Sequence, residues 1–289
     1  MAVSTNKQNA SGVAVGHSAP AGARRGQLRF DAFGLAGIVL ALAIWQTLTL
    51  VIPPMALPTP AAVFNRAVDD FHVADQLAYY GLPDTGLLGS MLYTAGNVFI
   101  AVIVGSAIGI VLGLLTARVA LIRAIVDPIL NTVGTIPILV MAPFFLIWFG
   151  TSGWSALLLV TIYVIVILYL YAQRAADNLD PIYEENARTF GITTTAIIRD
   201  VLLPGTLPQI LGGIRIALAG AWGLEAIAEL LGAQQGIGKI TELLSSTLDF
   251  EGIFACLLLL GIVAVVADLL VSKAVAFATR WSAAPTQGH

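Results

Sequence analysis

Charge is scarce in this chain. Aspartate, glutamate, lysine and arginine make up 11% of its 289 residues, against about 25% in an ordinary soluble domain. A water-soluble fold with so little charge has too few polar groups to cover its surface, which excludes water as the main solvent. Cysteine is rarer still. Cys256 stands alone inside an apolar run, so an intrachain disulfide and a thiolate metal site are both excluded. The histidines, His17, His72 and His289, are scattered and fall outside the apolar runs, so no metal site is expected. No Ser/His/Asp, Cys/His or paired-acid arrangement stands at catalytic spacing, and no catalytic residue is expected. The net charge of −3 offers no basic footprint for nucleic acid.

What is abundant is apolar surface: 58% hydrophobic residues and a mean hydropathy of +0.89. The bilayer is the solvent that fits, and a backbone inside it must satisfy its own polar groups, which favours helices. About six spans are expected, at Gly34–Ile52, Ser90–Ala117, Ile125–Phe149, Trp154–Ala172, Leu207–Leu231 and Gly252–Phe277. The first, at about 1.5 Å per residue, reaches roughly 29 Å, enough to cross. It follows Arg24, Arg25 and Arg29, but it is too long for a signal-peptide core, and Pro53-Pro54 follow it instead of a cleavage site. The fold class is therefore all-α and polytopic. Residues 1–29 read as a disordered tail, 30–280 as the membrane domain with a polar segment at 173–206, and 281–289 as a second tail.

Details of the spans carry further expectations. In the connector after the first span, Thr59-Pro60 reads as a capped helix start with proline in its first turn. Gly105, Gly109 and Gly113 recur every fourth residue, a stripe that lets another helix approach closely. The third span is interrupted by Pro128, Pro137 and Pro143. It should be buried or line a cavity, because lipid cannot satisfy the carbonyls that prolines free. Asn131 and Thr135 share one face of it and are pathway candidates.

The polar segment Glu185–Pro204 reads E-N-A-R-T-F-G-I-T-T-T-A-I-I-R-D-V-L-L-P. The pattern predicts a short helix, a break at Gly191, and a second helix stopped by Pro204. Its spacing, Glu–x–Ala–x3–Gly–x9–Val–x–Leu–Pro, resembles the EAA motif in permease subunits of ATP-binding-cassette importers. The matched positions are Glu185, Ala187, Gly191, Leu203 and Pro204, with two departures, Asn186 for alanine and Val201 for isoleucine. The runs Ile136–Gly150 and Leu211–Gly238 look like the nitrate, sulfonate and taurine branch of the same family. The likeness covers roughly Ser90–Phe277.

This resemblance implies a type I importer permease fold and a segment that couples to an ATPase through Glu185, Asn186, Ala187, Gly191, Leu203 and Pro204. It further implies two ATPase subunits that carry ATP and magnesium, so that this chain holds no cofactor. A second permease copy, forming a homodimer, and an extracytoplasmic substrate-binding protein complete the expected partners. The solute would be a small sulfonate-, nitrate- or taurine-like anion, although related permeases also move neutral heterocycles. An ion-coupled carrier would need an acid deep in the membrane, and none is evident at mid-span. A non-transporting scaffold is the remaining alternative.

Charged residues in the fifth span stand out. Trp222, Glu225 and Glu229 share a face and are pathway candidates. The competing reading is structural, with Glu229 near the outer interface and Arg215 snorkelling or bonded to carbonyls. Ala233–Ile240 superficially resembles a phosphate loop, but it lacks the first glycine and the terminal hydroxyl. A tight turn is expected there. If both termini lie inside a bacterial inner membrane, Lys7, Arg24, Arg25, Arg29, Arg118, Arg123, Arg174, Arg188, Arg199, Lys273 and Arg280 fall on the inner side, leaving Arg66 and Lys239 outside.

Overall fold

The structure, a computed structural model, describes residues 32–74, 79 and 85–280. The two tails at 1–29 and 281–289 lie outside the described residues, as do Asp75 and Asp84. The chain divides into two compact units at Ala43–Ile44, and a helix, α1 (Ala32–Leu48), crosses that division. In the first unit α1 is apolar on every side, with Leu35, Ile38, Val39, Leu40 and Leu42 all exposed. Its 17 residues reach about 26 Å.

The second unit contains, in order, α2 (Pro60–Asp69), α3 (Gly86–Arg118), α4 (Ala120–Thr135), α5 (Ile138–Phe149), α6 (Gly153–Asp177), α7 (Pro181–Thr189), α8 (Thr194–Ile197), a π-helical turn (Ile198–Leu202), α9 (Leu203–Gly232), α10 (Ile237–Ser246) and α11 (Phe250–Ala278). Among the described residues four helical stretches are long and apolar enough to cross a membrane: α3, α6, α8 through α9, and α11. The bent pair α4–α5 makes a fifth, and α1 is the sixth apolar segment. The fold is all-helical and polytopic.

The glycine stripe explains the centre of this unit. On α3, a Cβ at Gly105 would stand 2.7 Å from the Val164 Cβ, and one at Gly109 would stand 2.6 Å from the Ile165 carbonyl oxygen. A Cβ at Gly113 would stand 2.6 Å from the Tyr169 carbonyl oxygen. Each is closer than real Cβ atoms come, so α3 lies backbone-to-backbone on α6, as the spacing predicts. The main core grows around this pair: Val98, Ala101, Val164 and Leu168 meet Ala217, Leu218 and Ala221 of α9. A smaller cluster joins Leu87 and Met91 of α3 to Ile237, Ile240 and Leu244 of α10 and Cys256 of α11. Thr59 caps α2 as expected, its hydroxyl accepting from the Ala62 N–H at 3.2 Å. Arg66 then ties α2 to the start of α11 through Asp249 at 3.0 Å.

Two expectations need correction. The third span is not one interrupted helix. Pro128 and Pro143 sit inside α4 and α5, and only Pro137 breaks the chain, with a 100° bend between the two helices. The Val133 carbonyl instead accepts from the Ile136 N–H at 3.2 Å. Nor does this chain bury the broken span, for α4 contains no buried residue. The second correction concerns Pro204, which does not stop a helix. It occupies the first turn of α9, directly after the π-helical turn. Proline cannot supply the N–H that would bond the Asp200 carbonyl, and the widened turn carries the helix past this missing rung.

Replacing Gly109 with leucine is expected to destabilise the bundle by about 1–3 kcal/mol through overpacking, lowering the unfolding temperature in detergent. Gly96, whose Cβ would meet nothing within 4 Å, should accept alanine with no measurable loss.

Candidate functional site

The polar segment folds into a knob whose form follows from its caps. Asp180 starts α7, its carboxylate accepting from the Ile182 N–H at 3.0 Å, with Pro181 in the first turn. Glu184 near the start and Arg188 near the end match the helix dipole. The helix closes in a Schellman motif: the Gly191 N–H donates to the Arg188 carbonyl at 2.9 Å, and the Ile192 N–H to the Ala187 carbonyl at 3.2 Å. That motif needs a left-handed residue, and Gly191 has φ +72°. Thr193 then caps the short α8.

Within the knob, Ala187 is buried and packs on Ile197 and Leu202. Glu185, Asn186, Gly191, Leu203 and Pro204 are exposed. Of the six motif residues one alanine is buried and the other five are exposed. Motif reading alone missed the apolar residues that share this surface: Phe190 is 85% exposed, and Ile182 and Tyr183 are exposed beside it. The signal was available, since Phe190 is an aromatic directly before a helix-ending glycine. A recess of about 320 Å³ under the knob is lined by Arg118, Asp177, Glu184, Glu185 and Arg188, among others.

At the opposite end of the bundle, the pathway candidates of α9 are sealed inside. Glu225 and Glu229 have no exposed surface and Trp222 has 3%. The Glu229 carboxylate accepts from the Thr94 hydroxyl at 2.9 Å and from the Gly238 N–H at 3.0 Å. Thr94 in turn accepts from the Ile237 N–H at 3.0 Å. Glu229 is therefore a distant cap for α10: a carboxyl group whose oxygens accept hydrogen bonds from the Thr94 hydroxyl and from an otherwise free N–H at a helix start. The tight turn expected at Ala233–Ile240 is the loop and first turn that this cap holds. Glu225 accepts from the Asn97 side chain at 2.8 Å, and among the described residues its other oxygen has no partner. The Trp222 ring meets Phe99 edge-on at 6.1 Å.

Asn131 and Thr135 lie elsewhere, exposed on α4. No hydrogen bond among the described residues joins them to the α9 cluster. Arg215 neither snorkels nor bonds a carbonyl. It forms a two-pronged pair with Asp268 of α11, at 3.0 and 2.8 Å. Asp268 lies within a crossing helix, a membrane acid that the sequence reading overlooked.

A family described as the binding-protein-dependent transport system inner membrane component matches residues 105–278. The chain is 28% identical over 243 residues to the formylaminopyrimidine transport permease protein ThiX of Halalkalibacterium halodurans, covering 81% of this chain and 90% of that one. It is 25% identical over 234 residues to the taurine transport system permease protein TauC of Escherichia coli, covering 80% and 83%. Its fold resembles a chain of the inward-facing MetNI methionine ABC transporter with a TM-score of 0.59 at 23% identity, covering 67% of this chain and 96% of that one.

Replacing Glu229 with alanine removes the cap of α10. Each buried donor left without its partner costs about 1–3 kcal/mol. Hydrogen exchange should accelerate across residues 233–246 while the amides of α6 stay protected.

Proposed function

The chain belongs to the family of binding-protein-dependent transport system inner membrane components, and on that premise we propose how it works. It is the permease subunit of an ATP-driven importer. The observation that carries the mechanism is the knob: a helix ended at Gly191, presenting Ile182, Tyr183 and Phe190 to water beside Glu185 and Asn186. Exposed aromatic and aliphatic side chains clustered on a small polar lobe fit a protein partner. That partner is an ATPase subunit, which binds ATP and magnesium and performs the hydrolysis. Two such subunits serve two permease copies, arranged as a homodimer, and a substrate-binding protein delivers solute on the other side.

Orientation follows from charge. Arg118, Arg123, Arg174 and Arg188 gather where α3 and α6 end and α7 begins, whereas Arg66 and Lys239 belong to α2 and α10 at the other end. The basic end faces the cytoplasm, which puts both termini and the knob there in a multi-pass inner-membrane protein. Transport is by alternating access: closure of the ATPase pair draws the knobs together and rocks the helices around a central cavity. Asn131 and Thr135 line it, and Glu225 sits just behind its wall.

The likeness to a taurine permease supports a small sulfonate- or taurine-like solute. A second reading is a neutral heterocycle as the solute. The likeness to a formylaminopyrimidine permease supports that neutral heterocycle. Labelled taurine and a labelled aminopyrimidine, offered to cells expressing the complete importer, separate the two.

Valine at Gly191 must adopt a left-handed conformation that costs about 1–3 kcal/mol. The variant is expected to insert normally yet lose co-purification with the ATPase subunit and solute uptake; normal uptake would remove the coupling role. Replacing Glu225 with glutamine keeps the Asn97 contact feasible. Uptake should change more than protein abundance if Glu225 serves the pathway, and unchanged uptake assigns it to structure.

A further inference from the structure

Beneath the knob, charged side chains from four helices form one continuous ladder. Glu184 of α7 is ion-paired with Arg118, the last residue of α3. Arg118 also donates to the Ala176 carbonyl at 2.7 Å and lies 3.7 Å from Asp177, the last residue of α6. Asp177 accepts from Arg123 of α4 at 3.2 Å, and Arg123 reaches Asp127 at 3.3 Å. Asp127 then accepts from Tyr169 and, at 2.9 Å, from Gln173, both on α6. Gln173 closes the network on Thr116 of α3 at 3.2 Å.

The two ends of the ladder belong to two helices that bury little of themselves. No residue of α4 is buried, and α7 buries only Ala187. Between them stand α3 and α6, locked together at Gly105, Gly109 and Gly113. With Ala187 the one buried apolar anchor of the two helices, polar contacts of defined geometry carry most of what orients α7 and α4 against that rigid pair. The rung at the α7 end is sheltered, with the Arg118 and Glu184 side chains 14% and 12% exposed. Salt screens such a pair less than a surface pair, and removal of one member strands the other.

We infer that the ladder Glu184–Arg118–Asp177–Arg123–Asp127 couples the tilt of α7 to the position of α4, with Arg118 and Asp177 as its positioning residues. The inference rests on the reading of α7 as the element that an ATPase moves. It adds a route from that element to the helix carrying Asn131 and Thr135.

The test uses the full permease co-expressed with its ATPase subunit and reconstituted in liposomes. A reporter cysteine replaces Ile129, which is 58% exposed on α4, while native Cys256 is buried. The rate of maleimide labelling at position 129 is compared without nucleotide and after trapping with ATP and vanadate. In the otherwise unaltered chain the two rates are expected to differ by about tenfold. In the Arg118→Gln background ATPase binding and hydrolysis should persist, and the difference should fall below about twofold. An undiminished difference in Arg118→Gln overturns the ladder and leaves the coupling role of the knob standing. Labelling that ignores nucleotide even in the unaltered chain overturns both. Should Arg118→Gln fail to accumulate, Asp127→Asn, nearly isosteric and at the far end, carries the same comparison. Glu184→Gln combined with Asp127→Asn should do no more than either alone, and independent additive effects would overturn the ladder.

Discussion

Along α3 and α6 no side chain separates the two backbones at three successive turns. Gly105, Gly109 and Gly113 each lie where a methyl group would strike the carbonyl or Cβ of α6. In lipid the hydrophobic effect does not distinguish helix from solvent, so association depends on close van der Waals contact, which small residues permit. This contact is the frame to which other elements attach. Gly213 of α9 repeats the device, lying against the Tyr171 ring of α6 at a distance of 2.7 Å for an added Cβ. The knob hangs from the same pair through Arg118 and through the three-residue link from Asp177 to Pro181. A rigid centre with loosely packed α4 and α7 at its margin suits a machine in which parts must move against something that does not.

The ionisable side chains of the apolar helices follow one rule. Each carries an insertion cost of about 2.5–3.5 kcal/mol near the membrane centre, and each meets a partner that answers its charge. Arg215 has Asp268, Asp127 has Arg123 with Tyr169 and Gln173, and Glu229 has Thr94 and the start of α10. Glu225 differs. Asn97 satisfies one of its oxygens, while the other shares with the Trp222 N–H the condition of being buried without a partner among the described residues. Buried polar atoms of that kind are rare in native folds and call for an account. Of the two acids on one helix face, Glu229 holds the start of α10 and Glu225 keeps one oxygen unpartnered among the described residues.

The local features were legible because their causes are local. A proline beside a capping threonine started α2, a four-residue glycine period marked the α3 face, and Gly191 ended α7. Proline was harder to read. Three prolines occur in the third span and one at the end of the knob, yet only Pro137 turns the chain. Pro128 is accommodated within α4, and Pro204 is carried by the π-helical turn before it. Whether a missing N–H breaks a helix depends on what neighbouring groups supply, and that is not written beside the proline. The partners of Glu229 and Arg215 were illegible for the same reason. Thr94 lies 135 residues away and Asp268 lies 53 away, so only the folded packing of α3, α9 and α11 brings them together.

The bend at Pro137 constrains what can surround this chain. The first N–H groups of any helix lack intrahelical partners, and those of α5 begin at a 100° turn between two apolar helices. Lipid offers no hydrogen bonds, so a break at membrane depth survives only against protein or water. This chain supplies little cover, since α4 buries nothing and α5 buries only Ala142 and Phe145. The exposed face of α4 also carries Asn131 and Thr135, with the Thr135 hydroxyl turned back onto the Thr132 carbonyl at 2.7 Å. Apolar surface beside a polar break therefore faces either an aqueous cavity or another protein surface.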